Sequence, residues 1–151
     1  MTVSIDGFLS TEDLARVEAE TGLKVPSSLA ALLTSQPLIG LTFRLTTDAD
    51  ESELGAEFRW MTADQMIDEA TAAYPGIVAV TRGLLPVGIC LEGSGDPYFV
   101  RLEDGALVRV PHDAVRGNDL NMSRVEKVSA SIEHLMAVAE ISGLTSRAAL
   151  S

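Results

Sequence analysis

Two histidines, one cysteine and a serine set between glycines are the residues with which this sequence could do chemistry. Ser94 lies in Gly93-Ser94-Gly95-Asp96. A serine nucleophile on a strand-to-helix elbow needs the pattern G-x-S-x-G, and Glu92 occupies its first position. A phosphate loop would aim glycine N–H groups at an anion and lead into a helix N-terminus. A strand pattern follows here instead, and no Lys-Ser or Lys-Thr pair is present. The stretch therefore reads as a turn that needs a positive φ.

The other candidates are isolated. His134 falls off the centre of an apolar helical face, as a solvated or half-buried residue would. His112-Asp113 follows Pro111 in a loop or helix start, where it could orient another group. Zinc needs about four Cys, His or acidic ligands at workable spacing, and Cys90, His112 and His134 are far apart. An acidic stretch from Asp48 resembles a calcium loop, but Glu53 stands where the sixth-position glycine belongs and Arg59 where the twelfth-position glutamate belongs. Cys90 sits in an apolar run with no basic neighbour, as a small buried hydrophobe would. A sequence this poor in catalytic groups points to a binding module rather than an enzyme, with no cofactor and no metal.

Charge is the strongest compositional signal. The net charge is −11, so the chain repels phosphate backbones and anionic membranes and attracts basic proteins. Residues 48–69 carry eight acids (Asp48, Asp50, Glu51, Glu53, Glu57, Asp64, Asp68, Glu69) against Arg59 alone. Two readings stand for this segment. It is a solvated loop and polar helix face that serves solubility, or it is an electrostatic lure for a basic partner. In the first case the binding face moves to the exposed side of the sheet at 84–110, near Glu92, Asp96 and Arg101. The opening residues carry no basic cluster and no long apolar run, so no signal peptide is expected. A lone cysteine excludes an intramolecular disulfide and makes the cytoplasm the default compartment. Nine arginines against two lysines point to a GC-rich bacterial genome.

The elements that must position these residues follow from periodicity and caps. At 151 residues the chain is one domain in length. Helices are expected at 10–21, with Ser10 and Asp13 as a capping box and Gly22 as the stop, and from Pro26 or Ser27 through Leu33. Residues 41–46 alternate as a strand, and Phe58 and Trp60 mark a second. Thr62 and Gln65 form a capping box for a middle helix with Met61 and Met66 as its hydrophobic staple. Residues 77–80 read as a short strand or buried connector. Three strands then span 84–110, the last two joined at Asp104-Gly105. A long final helix is expected over 123–140, capped by Ser123 and Glu126, with Val125, Val128, Ile132, Leu135, Met136 and Ala139 on one face. The result is an α+β single domain: a mainly antiparallel sheet flanked by an N-terminal helix pair, a middle helix and a long C-terminal helix. Residues 1–9 form a leading segment, 10–142 the domain and 143–151 a flexible tail.

The order of these pieces resembles the SUKH superfamily, which includes bacterial toxin-immunity proteins and fungal regulators of cell-wall synthesis. The resemblance rests on Gly22, Leu23, Val25 and Pro26; on Leu85, Pro86, Val87 and Gly88; on Gly93, Gly95, Asp96 and Tyr98; on Asp104, Gly105, Leu107 and Val108; and on His112 and Asp113. It covers residues 10–140. Arg101 departs from the acidic residue usual in its strand, and Val110-Pro111 replaces an aromatic, as in a divergent branch. The resemblance implies a non-catalytic cytoplasmic protein that binds and neutralises a toxin, in many cases a nuclease. Its alternative is a regulatory or scaffold module with a cellular protein partner.

Overall fold

A computed structural model describes residues 7–91 and 95–142. Its opening follows the capping chemistry. Ser10 accepts the Asp13 N–H at 3.0 Å while the Asp13 carboxylate accepts the Ser10 N–H at 2.9 Å, which starts α1 (Thr11–Thr21). Gly22 ends it in the left-handed region, at φ 76. Helix α2 (Ser27–Ser35) follows Pro26. The reciprocal Thr62–Gln65 box starts α3 (Ala63–Ala72), and Met61 and Met66 are both buried. Residues 77–80, expected as a strand or connector, belong instead to a short helix, α4 (Gly76–Ala79), and a 3-10 turn behind it.

The strands are β1 (Thr42–Leu45), β2 (Ala56–Trp60), β3 (Leu84–Cys90), β4 (Tyr98–Arg101), β5 (Leu107–Arg109), β6 (Val115–Arg116), β7 (Asp119–Leu120), β8 (Glu126–Ser129) and β9 (Glu140–Ser142). Seven form one sheet in the order β8-β5-β4-β3-β2-β1-β9, every pairing antiparallel. Strands β6 and β7 form a separate hairpin. The fold is α+β, as the patterning implies. The three strands over 84–110 and the Asp104-Gly105 hairpin are present, with Gly105 at φ 80 and its N–H bonded to the Arg101 carbonyl at 2.7 Å. Gly95 also takes a positive φ, 72. Glu92, Gly93 and Ser94, with residues 143–151, expected as a flexible tail, lie outside the described residues. Gly7 and Leu9 bond to Ile39 and Leu33 and tie the leading segment to α2 and its exit.

The long C-terminal helix is not formed. Residues 122–124 make a 3-10 turn, 126–129 are β8, and helix α5 runs only Ile132–Val138. Ser131, not Ser123, is its N-cap and accepts the His134 N–H at 3.0 Å. Two separate elements mimic one apolar stripe. Val128 faces the core from a strand, and Leu135 does so from the helix. Ser129-Ala130-Ser131 between them favours a cap over a helix interior. Pairing of β8 with β5, at Val108↔Lys127 and Arg109↔Glu126, then supplies the backbone bonds that a helix would have made.

Alternation along the strands divides the apolar side chains between two cores. Leu85, Val87, Tyr98, Val100 and Leu107 join α1, α2 and α3 on one face. Leu84, Phe99, Val108 and Val110 meet α4, Ala114 and Leu120 on the other. Gly88 is a point of close approach within the sheet. The Phe58 and Tyr98 rings stack across it with centroids 4.8 Å apart. A Cβ at Gly88 would lie 2.6 Å from Phe58 Cδ2 and 3.0 Å from the Tyr98 Cβ. Phe43 and Trp60 extend the aromatic cluster at centroid distances of 5.6–5.7 Å.

Gly88→Ala is expected to lower stability by about 1–3 kcal/mol, because the methyl must push apart two fully buried rings. Urea denaturation checks it; an unchanged midpoint would show that the aromatic stack yields freely.

Candidate functional site

Arg109 organises the most polar region of the interior. Its side chain is 4 % exposed. Nε donates to Glu126 Oε1 at 2.7 Å, Nη1 to the Gly55 carbonyl at 3.1 Å and to Tyr98 Oη at 2.9 Å, and Nη2 to Ser52 Oγ at 2.9 Å. The Asp50 carboxylate stands 3.9 Å away and is fully buried. The guanidinium also lies 5.5 Å from the Tyr98 ring centroid. Burial opposes its charge, but Glu126 and Tyr98 outweigh that and leave its pKa above the ordinary arginine value. A charge this deep persists only when paired and hydrogen-bonded.

This cluster fixes the loop between β1 and β2. Asp50 Oδ1 accepts from the Ser52 N–H at 2.7 Å and from Ser52 Oγ at 2.8 Å, so the segment folds around its own acid. The Glu51 N–H bonds to the Val128 carbonyl at 2.9 Å, and Lys127 Nζ lies 3.4 Å from the Glu51 carboxylate. The loop therefore reaches β8 at one edge of the sheet although it springs from β1 near the other. The sheet curls, and the loop bridges the opening.

The acids singled out in the sequence divide accordingly. Asp50 is 1 % exposed and turned inward to Arg109, so it is not available to a partner. Its place in a run of acids gave no hint of this. Asp48 and Glu53 are exposed and Glu57 is half-buried; none of them forms an ion pair among the described residues. Glu53 holds a positive φ, 65, and Leu54 beside it is 62 % exposed. Glu51 is exposed but paired. Arg101 is engaged by Asp104 through two bonds of 3.0 and 2.7 Å, which holds that carboxyl at about 2, below its ordinary value. Glu92 is outside the described residues.

Asp96 takes another role. Its Oδ1 accepts the His112 N–H at 3.1 Å and lies 2.6 Å from His112 Nδ1. Arg124 donates to Asp113 at 2.7 Å close by. With Ser123 and Glu126 these residues line an open groove of about 840 Å³. A histidine oriented by an aspartate is two parts of a nucleophile-activating set. Among the described residues no hydroxyl or thiol bonds to His112, and Ser123 Oγ is spent on Asn121 at 2.7 Å. His134 is exposed on α5, and Cys90 is half-buried against the core. Among the described residues no group of acids, histidines and cysteines is placed to hold a metal ion, and no helix is long and apolar enough to cross a membrane.

Arg109 was the residue that sequence reasoning missed. Its signal is a cation inside the apolar run Ala106-Leu107-Val108-Arg109-Val110. A charge there demands buried acids, and only the fold reveals which ones. The hairpin at 115–120 carried a similar unused sign, Gly117-Asn118 between two short strands.

No protein-family model matches the chain. Over 95 residues, 62% of its length, it is similar to a probable phosphoribosylformylglycinamidine synthase, chloroplastic/mitochondrial, of Arabidopsis thaliana, with 27% identity. The chain spans about 7% of that protein's length.

Removing Arg109 alone leaves Asp50 and Glu126 charged without their partner. Arg109→Met is therefore expected to cost about 3–5 kcal/mol, and adding Asp50→Asn to recover part of it. Chemical denaturation of these two variants and of Asp50→Asn alone decides; a loss in the double variant equal to the sum of the two single losses would mean that Asp50 and Arg109 are not coupled.

Glu69, whose carboxylate accepts the Gly76 N–H at 2.9 Å, gives a second test. Burial raises its pKa against the lowering effects of Gly76 and of His112. Its folded pKa stands above its unfolded one, so stability falls as pH rises from the ordinary value through the folded one. Glu69→Gln retains an oxygen for Gly76 and removes the charge. It is expected to raise the melting temperature at neutral pH, with the gain vanishing below the ordinary carboxyl range. A gain that persists in acid would assign the effect to packing instead.

Proposed function

We propose that this chain is a non-catalytic, SUKH-like protein of the immunity type that binds and neutralises a toxin domain with a basic surface. The observation that supports the reading is the anchored loop between β1 and β2. The buried Asp50–Arg109 pair and the Glu51–Val128 bond hold it from beneath. Asp48, Glu53 and Leu54 are left exposed on its outer side. A loop already fixed in place loses little conformational freedom when a partner docks. Unpaired carboxylates around one exposed leucine suit a basic surface that closes over an apolar contact. A nuclease cleft shaped to hold phosphate has such a surface. The compartment that fits this role is the cytoplasm, where a delivered toxin would act, and the binding needs no cofactor.

Affinity capture from the native host, with mass spectrometry of what co-elutes, tests the reading. The expected result is one basic toxin domain at equal stoichiometry, whose activity stops on binding. A housekeeping protein in its place would identify a regulatory or scaffold module. Turnover of a substrate that His112→Ala abolishes in a folded variant would identify an enzyme.

The surface assignment has its own test. Asp48, Glu53 and Glu57 replaced together by Ser, with Asp50 left intact, are expected to slow association with the captured toxin by about tenfold at low salt, with little effect above a few tenths molar. The melting temperature should hardly move, since Asp48 and Glu53 are exposed, Glu57 is only half-buried, and charges without an ion-pair partner contribute little. Stopped-flow measurement across salt concentrations decides. Equal rates for both proteins would place the contact elsewhere, with the Asp96–His112 groove as the next surface to examine.

A further inference from the structure

Three arginines surround one cavity of about 510 Å³ in a chain whose net charge is −11. Arg82, Arg116 and Arg124 line it, from the turn after α4, from β6 and from the 3-10 turn at 122–124. We propose that this cavity is an anion site that takes a phosphate-type dianion, free or as a small ester. The proposal is independent of the toxin reading.

The three cations are placed but weakly committed. Arg82 Nη1 donates to the Leu120 carbonyl at 3.1 Å, which aims it at the β6–β7 hairpin. Its carboxylate neighbour, Asp119, is 3.7 Å away with a side chain 86% exposed. Arg124 is bonded to Asp113 at 2.7 Å, and both side chains are more than half exposed. Arg116 is exposed and forms no ion pair among the described residues. Exposed pairs of this kind contribute little to stability. A ligand oxygen can therefore replace Asp113 or Asp119 at small cost. A dianion offers several acceptors to guanidinium forks, whose planar geometry matches phosphate. The hairpin itself is fixed, because Leu120 and Ala114 are buried in the second core. The cavity lies within the roughly 300–1,000 Å³ range of small-ligand sites.

The test titrates the whole chain at low ionic strength with inorganic phosphate, with glycerol phosphate, and with chloride as the control. Arginine Nε–Hε signals are followed by NMR. The expected result is saturable shifts of Arg82, Arg116 and Arg124 with a Kd on the order of 1 mM, seen with the phosphates and not with chloride. Tighter binding of the ester would identify a phosphorylated metabolite as the ligand, and equal or weaker binding would identify free phosphate. Arg116→Gln and Arg124→Gln should each weaken binding about tenfold, a loss of about 1.4 kcal/mol. Asp119→Asn removes a competing carboxylate and should strengthen it, whereas Asp48→Asn, which does not line the cavity, should not. The proposal is overturned if chloride reproduces the shifts, if neither arginine variant weakens binding, or if Asp48→Asn acts as strongly as Asp119→Asn.

Discussion

A single buried guanidinium holds the two ends of this sheet together. Arg109 sits on β5 and joins Glu126 on β8, Tyr98 on β4, and Ser52, Gly55 and Asp50 on the loop between β1 and β2. Those groups come from segments up to 76 positions apart in the chain, from Asp50 to Glu126. An ammonium could not bond them all, because only the planar fork offers five donors in fixed directions. Once the guanidinium is buried, each partner becomes obligatory, since the charge has no water to turn to. The register of β8, the path of the acidic loop and the orientation of Tyr98 are thus coupled through one group.

The aromatic stack works in the same region by a different force. Gly88 has no side chain, so Phe58 and Tyr98 meet over β3 instead of being held apart. The Tyr98 hydroxyl then reaches Arg109 at 2.9 Å. Apolar packing therefore positions the polar cluster: the stack places the phenol, and the phenol helps to satisfy the guanidinium. Buried polar networks of this kind stabilise only when every member has a partner. Asp50 Oδ2 receives no hydrogen bond and relies on the Arg109 charge at 3.9 Å.

The outer surface follows from the same arrangement. With Asp50 drawn inward, the acidic loop presents Asp48, Glu53 and Leu54 and not a uniform wall of charge. The Asp96–His112 groove and the arginine-lined cavity share Asp113 and Arg124, and neither is lined by the acidic loop. A chain that is acidic as a whole thus carries an anchored acidic loop and a separate cluster of cations. Net charge describes neither, because it averages over surfaces that a partner meets one at a time.

Local chemistry was legible wherever one short stretch decided the outcome. Ser10 with Asp13 and Thr62 with Gln65 could be read as helix starts, because each box closes within four residues. The alternation at 84–91, 98–102 and 107–110 showed three strands, because strand period is a local property, but the side of that sheet expected to be exposed is instead covered by a second core, which only the packing of α4 and the hairpin at 115–120 decided. Gly105 revealed its hairpin for the same reason. Only the tertiary structure decided the rest. Residues 126–129 and 132–138 share one apolar spacing, and a strand was chosen for the first because β5 offered partners and Arg109 required Glu126. Asp50 looks like its acidic neighbours in sequence, yet it alone in that loop is buried, because a cation 59 positions later lies directly beneath it. Pairings across such distances depend on how the whole chain closes, and no local window contains them.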